Sequence, residues 1–140
     1  MDVHAPLQRS KNMRAIKSTA TKEEVRLAKA LWHLGYRYRK NNNSVFGKPD
    51  LTFKKYKIAI FVDGEFFHGK DWETEKERIK SNREFWYKKI ERNIQRDIEV
   101  SSYLKLQEWE VIRFWSKEVK KDLNSCINVI QNLILQKQIK

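Results

Sequence analysis

Residues 58–68 read IAIFVDGEFFH, and residues 47–50 ahead of them read GKPD. Ile58–Val62 is apolar without alternation, the pattern of a central strand covered on both faces. Asp50–Phe53 fits a shorter partner strand, with a turn centred on Tyr56 and Lys57. Pro49 is tolerated at such a strand's start because its missing N–H costs little there. Pairing Leu51 with Val62 and Phe53 with Ile60 sets Asp50 opposite Asp63, where Cβ atoms lie roughly 4.5–5.5 Å apart. Two carboxylates that close repel unless a proton or a cation sits between them. A hard divalent ion, Mg²⁺ or Mn²⁺, takes carboxylates, carbonyls and phosphate oxygens. His68, just past the acids, is a residue type able to take a proton from water. The pattern points to metal-assisted phosphodiester chemistry.

Upstream, Thr21 opens a helix running to about Leu34, with Val25, Ala28, Leu31 and Trp32 on one face and Gly35 as its stop. Tyr36–Lys40 alternates aromatic and basic residues, as a half-exposed strand does. Downstream, residues 64–82 are loop-rich and charged, with a short helix over Glu75–Lys80. A long helix spans about Glu84–Gln107, carrying Ile90, Ile94, Ser101 and Leu104 along one stripe. Val111–Trp115 is a strand, and Leu123–Gln136 is a last helix with Cys126, Ile127, Ile130, Leu133 and Ile134 on one face. This order predicts an α/β domain, a small mixed central sheet flanked by helices on both faces. Trp32, Phe61, Phe85, Phe114 and Cys126 are expected in its core.

A chain of 140 residues supports one core and is too short for two, so residues 1–140 form a single domain with residues 1–19 as a basic N-terminal arm. Lys and Arg outnumber Asp and Glu by 30 to 18, a net charge of +12 that favours a polyanion, nucleic acid first and an anionic membrane surface second. No apolar run approaches the ~20 residues of a spanning helix. The first residues, MDVHAPLQRSKNMR, lack the apolar core of a signal peptide. No membrane association and a cytoplasmic location are therefore expected. Cys126 is the one cysteine, which excludes an internal disulfide and a cysteine-rich zinc site.

Asp50 alone reads as a turn residue, and Asp63-Gly64 as an ordinary turn dipeptide. Together, with His68 beside them, they read as a site. Glu24 has two readings: it completes a Thr21–Glu24 capping box, or it reaches the ion through water. Glu65 is a reserve ligand. Phe66, Phe67 and Trp86 either pack in the core or wedge between base steps. Lys89, Asn93 and Arg96 form a polar stripe, either a solvated face or a ridge facing DNA.

Four blocks carry a family resemblance: RSKNMRAI over Arg9–Ile16, GKPD over Gly47–Asp50, VDGEFFH over Val62–His68 and FWYKKIERNIQRD over Phe85–Asp97. Their order and spacing resemble very short patch repair (Vsr-type) endonucleases, within the PD-(D/E)XK nuclease superfamily. The resemblance covers nearly the whole chain and implies a restriction-endonuclease-like fold. It implies Mg²⁺-dependent nicking of one strand beside a T:G mismatch by a monomer, in DNA repair. Asp50 then matches a metal-binding aspartate, Val62 a metal-binding carbonyl, His68 a histidine near the attacking water, and Glu24 an outer acid. Phe66, Phe67 and Trp86 match inserted aromatics, and Lys89 and Asn93 match mispair contacts. Lys11, Asn12, Met13 and Arg14 lie in an arm that embraces the duplex.

Two departures stand out. Asp63 occupies a position where several members carry a second histidine, which makes it a candidate metal ligand. The structural zinc site is lost: Glu65 and Lys117 stand where cysteines would, and Gly69–Trp72 lacks His and Cys, so no structural zinc is expected. Two rivals remain open. One is a restriction- or transposition-associated nuclease of the same fold without mismatch preference, with restriction-modification or repair partner proteins. The other is a non-catalytic DNA-binding module.

Overall fold

The structure, a computed structural model, describes residues 21–139. The N-terminal arm, including Lys11, Asn12, Met13 and Arg14, lies outside the described residues. Helix α1 spans Lys22–His33 and buries Leu27, Ala28 and Leu31. Thr21 Oγ1 caps it by accepting the Glu24 N–H at 3.3 Å, and Gly35, at φ +96°, follows its end. Strands β1 (Arg39–Lys40), β2 (Leu51–Phe53) and β3 (Ile58–Asp63) form an antiparallel meander. The chain then runs through α2 (Trp72–Glu75), a 3₁₀ turn (Lys76–Arg78) and the long helix α3 (Arg83–Leu106). It returns as β4 (Glu110–Trp115), parallel to β3 on its other edge, giving the order β1-β2-β3-β4. Helices α4 (Ser116–Lys121) and α5 (Leu123–Ile139) complete the fold.

Every residue of β3 is buried. Ile58, Ile60 and Val62 pack with Leu51, Phe53 and Phe114 against the apolar faces of α1, α4 and α5. Ala59 and Phe61 point the other way, against Val45 and against Val100 and Leu104 of α3. Full burial of one such aliphatic side chain is worth roughly 1.5–3 kcal/mol, so β3 anchors both layers. The expected α/β architecture, with helices on both faces of a mixed sheet, is the one observed.

The strand register differs from the one expected. Leu51 pairs with Ile60 and Phe53 with Ile58, two residues short of the Leu51–Val62 and Phe53–Ile60 pairs. The turn is tighter: Tyr56 N–H donates to Phe53 O at 3.1 Å and Lys57 N–H to Lys54 O at 3.2 Å, with Lys57 at φ +55°. A two-residue slip preserves the faces. Asp50 therefore stays on the Asp63 side of the sheet but becomes its diagonal neighbour, at a spacing of about 7–8 Å between Cα atoms.

Other boundaries move for local reasons. The Tyr36–Lys40 strand shortens to β1, because β2 is only three residues long and pairs with Arg39 and Lys40 alone, while the rings of Tyr36 and Tyr38 pack edge-on to Phe53. The short helix expected over Glu75–Lys80 begins earlier, at Trp72, whose indole is buried. Helix α4, missing from the sequence reading, carries the fully buried Val119. Phe61, Phe114 and Cys126 are in the core as expected, but Trp32 and Phe85 are 47% and 57% exposed. Trp32 is covered instead by the Arg37 guanidinium, 3.7 Å from its ring centroid.

The backbone entering the site is tightly held. Gly47 adopts φ +83°, and a Cβ there would lie 2.3 Å from Val100 Cγ1. Lys48 follows at φ +51°, then buried Pro49 and half-buried Asp50. Gly47→Ala is expected to destabilise the protein by about 1–3 kcal/mol in urea unfolding. An unchanged midpoint would show that the loop yields and does not fix Asp50.

Candidate active site

Three acids from three elements gather near the C-terminal end of β3. Glu24 comes from the first turn of α1, Asp50 from the residue before β2, and Asp63 from the last position of β3. Asp50 Oδ2 accepts the Val62 N–H at 2.7 Å. The N–H and C=O of one strand residue point to the same side, so the Val62 carbonyl also faces Asp50. Burial, reinforced by the Asp63 charge, pushes the Asp50 carboxyl up to about 6, against the Val62 hydrogen bond. Burial and the Asp50 charge push Glu24 up to about 7, against its hydrogen bonds with Thr21. Glu24 is thus both cap partner and site acid. No ion pair reaches Glu24 or Asp50 among the described residues.

Asp63 is treated differently. It is 6% exposed, and both its oxygens accept from Arg113 Nη1, at 3.2 and 3.0 Å. Burial raises its pKa, while His68 and Arg113 pull it down. The expectation that Asp63 directly opposes Asp50 gives way to this ion pair. Arg113 also donates from Nε to Ser101 Oγ at 2.8 Å and from Nη2 to Asp97 O at 3.3 Å, and its guanidinium lies 4.0 Å from the Phe61 ring centroid.

His68 Nδ1 lies 2.6 Å from Asp97 Oδ2 and 3.7 Å from Asp63 Oδ1. An ionised carboxylate can only accept, so Nδ1 carries a proton, and in the neutral ring Nε2 is left as the acceptor. Burial opposes protonation of His68, but the Asp97 hydrogen bond and the two acids override it and raise its pKa. Asp63, His68 and Asp97 place one ligand atom each within 4.8 Å of one another.

Sequence reasoning assigned no role to Asp97 or Arg113. Both had a signal. Asn93, Asp97 and Ser101 recur at intervals of four along α3, one polar face turned to the sheet's end. Arg113 is a cation inside the strand VIRFW, which a packed strand tolerates only with a buried acid for it to meet.

Beyond His68 the chain presents aromatics to solvent. Phe66 and Phe67 are 48% and 47% exposed, with ring centroids 5.3 Å apart, and Trp86 lies 5.3 Å from Phe66. The core alternative is thereby removed for Phe66 and Phe67, and Trp86 is half-buried against them. Asn93 Nδ2 donates to Phe67 O at 2.9 Å. Lys89 Nζ lies 5.7 Å from the centroid of exposed Phe85, and Arg96 is exposed. Glu65 Oε2 accepts the Lys117 N–H at 2.9 Å, so Glu65 ties down a loop instead of serving as a ligand. Gly69, at φ +66°, fits against Ile94 and Ile90 with no room for a Cβ. Trp72 Nε1 donates to Glu91 at 3.1 Å, and its ring meets Tyr87 edge-on.

The raised acid sets a pH dependence. Unfolded Asp50 ionises near its ordinary 3.8, whereas the folded carboxyl holds its proton to about 6. Between these values the folded state binds more protons, so this group's contribution to stability falls as pH rises. Relative to wild type, Asp50→Asn should gain stability through that window in metal-free urea melts. A pH-independent difference would overturn the assignment. Glu65→Ala should cost about 1 kcal/mol and speed hydrogen exchange at the Lys117 amide.

Residues 1–74 match the family model described as DNA mismatch endonuclease Vsr. The type II nicking enzyme V.NmeDIP of Neisseria meningitidis serogroup C is 57% identical, over 99% of this chain and 93% of its own length. The type II nicking enzyme V.HpaIIP of Haemophilus parainfluenzae is 52% identical over the full length of both. The DNA mismatch endonuclease Vsr of Escherichia coli K12 is 38% identical, over 81% of this chain and 72% of its own. These matches span the acids, His68 and the aromatic loop, and the chain belongs to the Vsr family of DNA endonucleases, as an endodeoxyribonuclease.

Proposed function

We propose that this endonuclease nicks one strand of duplex DNA beside a T:G mispair, in repair, with Mg²⁺ or Mn²⁺ as its cofactor. The observation that carries the reading is a pair of half-buried acids, Asp50 and Glu24, both raised by desolvation and with no ion-pair partner among the described residues, beside a His68–Asp97 dyad.

The donor set fits a hard dication. Asp50 keeps one oxygen outside its 2.7 Å bond to Val62 N–H, the Val62 carbonyl faces the same space, and Glu24 stands behind them. All are oxygen donors, and the burial that raises both carboxyls is relieved by a positive charge between them. The chemistry supplied by the ion when bound is polarisation of a phosphoryl oxygen and easier ionisation of a water. His68 removes a proton at Nε2, and Asp97 fixes the ring and its tautomer through Nδ1.

Phe66, Phe67 and Trp86 enter the base stack as a preformed wedge. Lys89 and Asn93, on α3 beside that wedge, contact the mispair, and Arg96 neutralises backbone phosphate. Lys11, Asn12, Met13 and Arg14 extend the grip around the duplex. The 57% and 52% identical relatives are named as nicking enzymes and not as mismatch endonucleases, which favours as second reading a nickase without mispair preference.

Nicking of T:G and T:A duplexes of one sequence, with Mg²⁺, separates the two readings. The first expects cutting confined to T:G. Asp50→Ala should abolish nicking, and His68→Ala should lower kcat by about 10²–10⁴-fold. Equal cutting by wild type and Asp50→Ala would remove the metal-dependent reading.

A further inference from the structure

We propose that Asp63 and Arg113 form a positioning device for His68, with Asp63 outside the metal-binding set. The inference rests on the metal-dependent reading above and deepens it.

Strand register places Arg113 beside the end of β3. β3 and β4 run parallel with Phe61 beside Arg113 and Asp63 beside Trp115. Arg113 therefore shares a face with Phe61 and Asp63, and its long side chain runs across the Phe61 ring toward the strand's end. All three guanidinium nitrogens are engaged: Nε with Ser101 Oγ at 2.8 Å, Nη2 with Asp97 O at 3.3 Å, and Nη1 with Asp63 at 3.0 and 3.2 Å. A planar fork with fixed donors sets the direction of each partner, which a lysine ammonium does not. One side chain thus fastens the end of β3 to α3 at the turn that carries Asp97.

Asp97 grips His68 Nδ1 at 2.6 Å. Moving Asp97 moves the imidazole, so Arg113 orients His68 through the backbone of Asp97 and through Asp63, whose Oδ1 lies 3.7 Å from Nδ1. Asp63 has its charge answered by the protein itself, and it is buried. Asp50 and Glu24 have no such partner among the described residues. The four carboxylates therefore divide by surroundings: Asp50 and Glu24 for the cation, Asp63 and Asp97 for the histidine.

Breaking a buried pair by deleting one member leaves an uncompensated charge, whereas deleting both is tolerated better. The test uses the full chain as Asp50→Asn, Asp63→Asn, Arg113→Met and the Asp63→Asn/Arg113→Met double variant. It reads Mn²⁺ binding to the DNA-free protein by titration calorimetry, and kcat and KM for nicking. Asp63→Asn should bind Mn²⁺ as wild type does, while Asp50→Asn loses binding. Arg113→Met should lower kcat about 10–100-fold with KM little changed, and the double variant should recover part of that loss. Should Arg113→Met fail to fold, the double variant, which buries no lone charge, carries the kcat comparison against Asp63→Asn, and equal kcat in the two supports the pairing.

Loss of Mn²⁺ binding in Asp63→Asn as well as Asp50→Asn overturns the inference alone. Wild-type kcat in Arg113→Met, or a double variant worse than either single, also overturns it. Full Mn²⁺ binding by Asp50→Asn removes the metal assignment first, and this inference with it.

Discussion

Burial of β3 on both faces is the constraint from which the site follows. Side chains of a strand alternate, so a strand sealed above and below offers its last residue only two packed faces. Ile58, Ile60 and Val62 occupy one, and Asp63 falls on the other, behind Ala59 and Phe61 and under α3. A carboxylate there cannot stay ionised without a partner. The parallel β3–β4 pairing brings Arg113 to that face, and the crossover between these strands delivers α3, with Asp97 and Ser101, over the same end. One topological choice thus assembles the acid, its cation and the histidine's partner.

Glu24 and Asp50 show the opposite treatment. The chain carries a net charge of +12, yet at this point it half-buries two acids and gives them no ion-pair partner among the described residues. Such an arrangement costs folding stability and persists where function requires it. It also explains a division of labour in the electrostatics. Long-range attraction from the basic surface draws a phosphate backbone in, while the local acids repel it at close range. In the proposed reading, a dication between phosphate and carboxylates relieves that repulsion, which would couple the chemistry to metal binding.

Much of this was legible in the sequence, and the failures have physical causes. The apolar run Ile58–Val62 identified the central strand because doubly buried strands do not alternate. The order of elements gave a mixed sheet between helix layers. Periodicity could not fix the hairpin register, since a two-residue slip leaves every side chain on its expected face; left-handed Lys57 decided it. Trp32 and Phe85 were misplaced because aromatic character signals either a core or a contact surface, and only tertiary context separates them. Asp97 and Arg113 were overlooked for a related reason. Their meaning lies in each other and in Asp63, residues far apart along the chain that only the packed sheet brings together.

The aromatic loop completes the argument from local structure to recognition. Exposed Phe66 and Phe67 are unfavourable in water, and a flexible loop would collapse them onto the surface. Three restraints prevent that: Glu65 holds the Lys117 amide at 2.9 Å, Asn93 holds the Phe67 carbonyl at 2.9 Å, and Gly69 seats the chain against Ile90 and Ile94. The Glu65–Lys117 hydrogen bond joins the aromatic loop directly to the start of α4. A wedge ordered in advance spends little of its binding energy on immobilisation. Asn93 binds the wedge backbone through its amide nitrogen and keeps its carbonyl oxygen free to accept. In the proposed reading, a DNA contact at that oxygen would be coupled to the position of Phe67, and through the adjoining residue to His68.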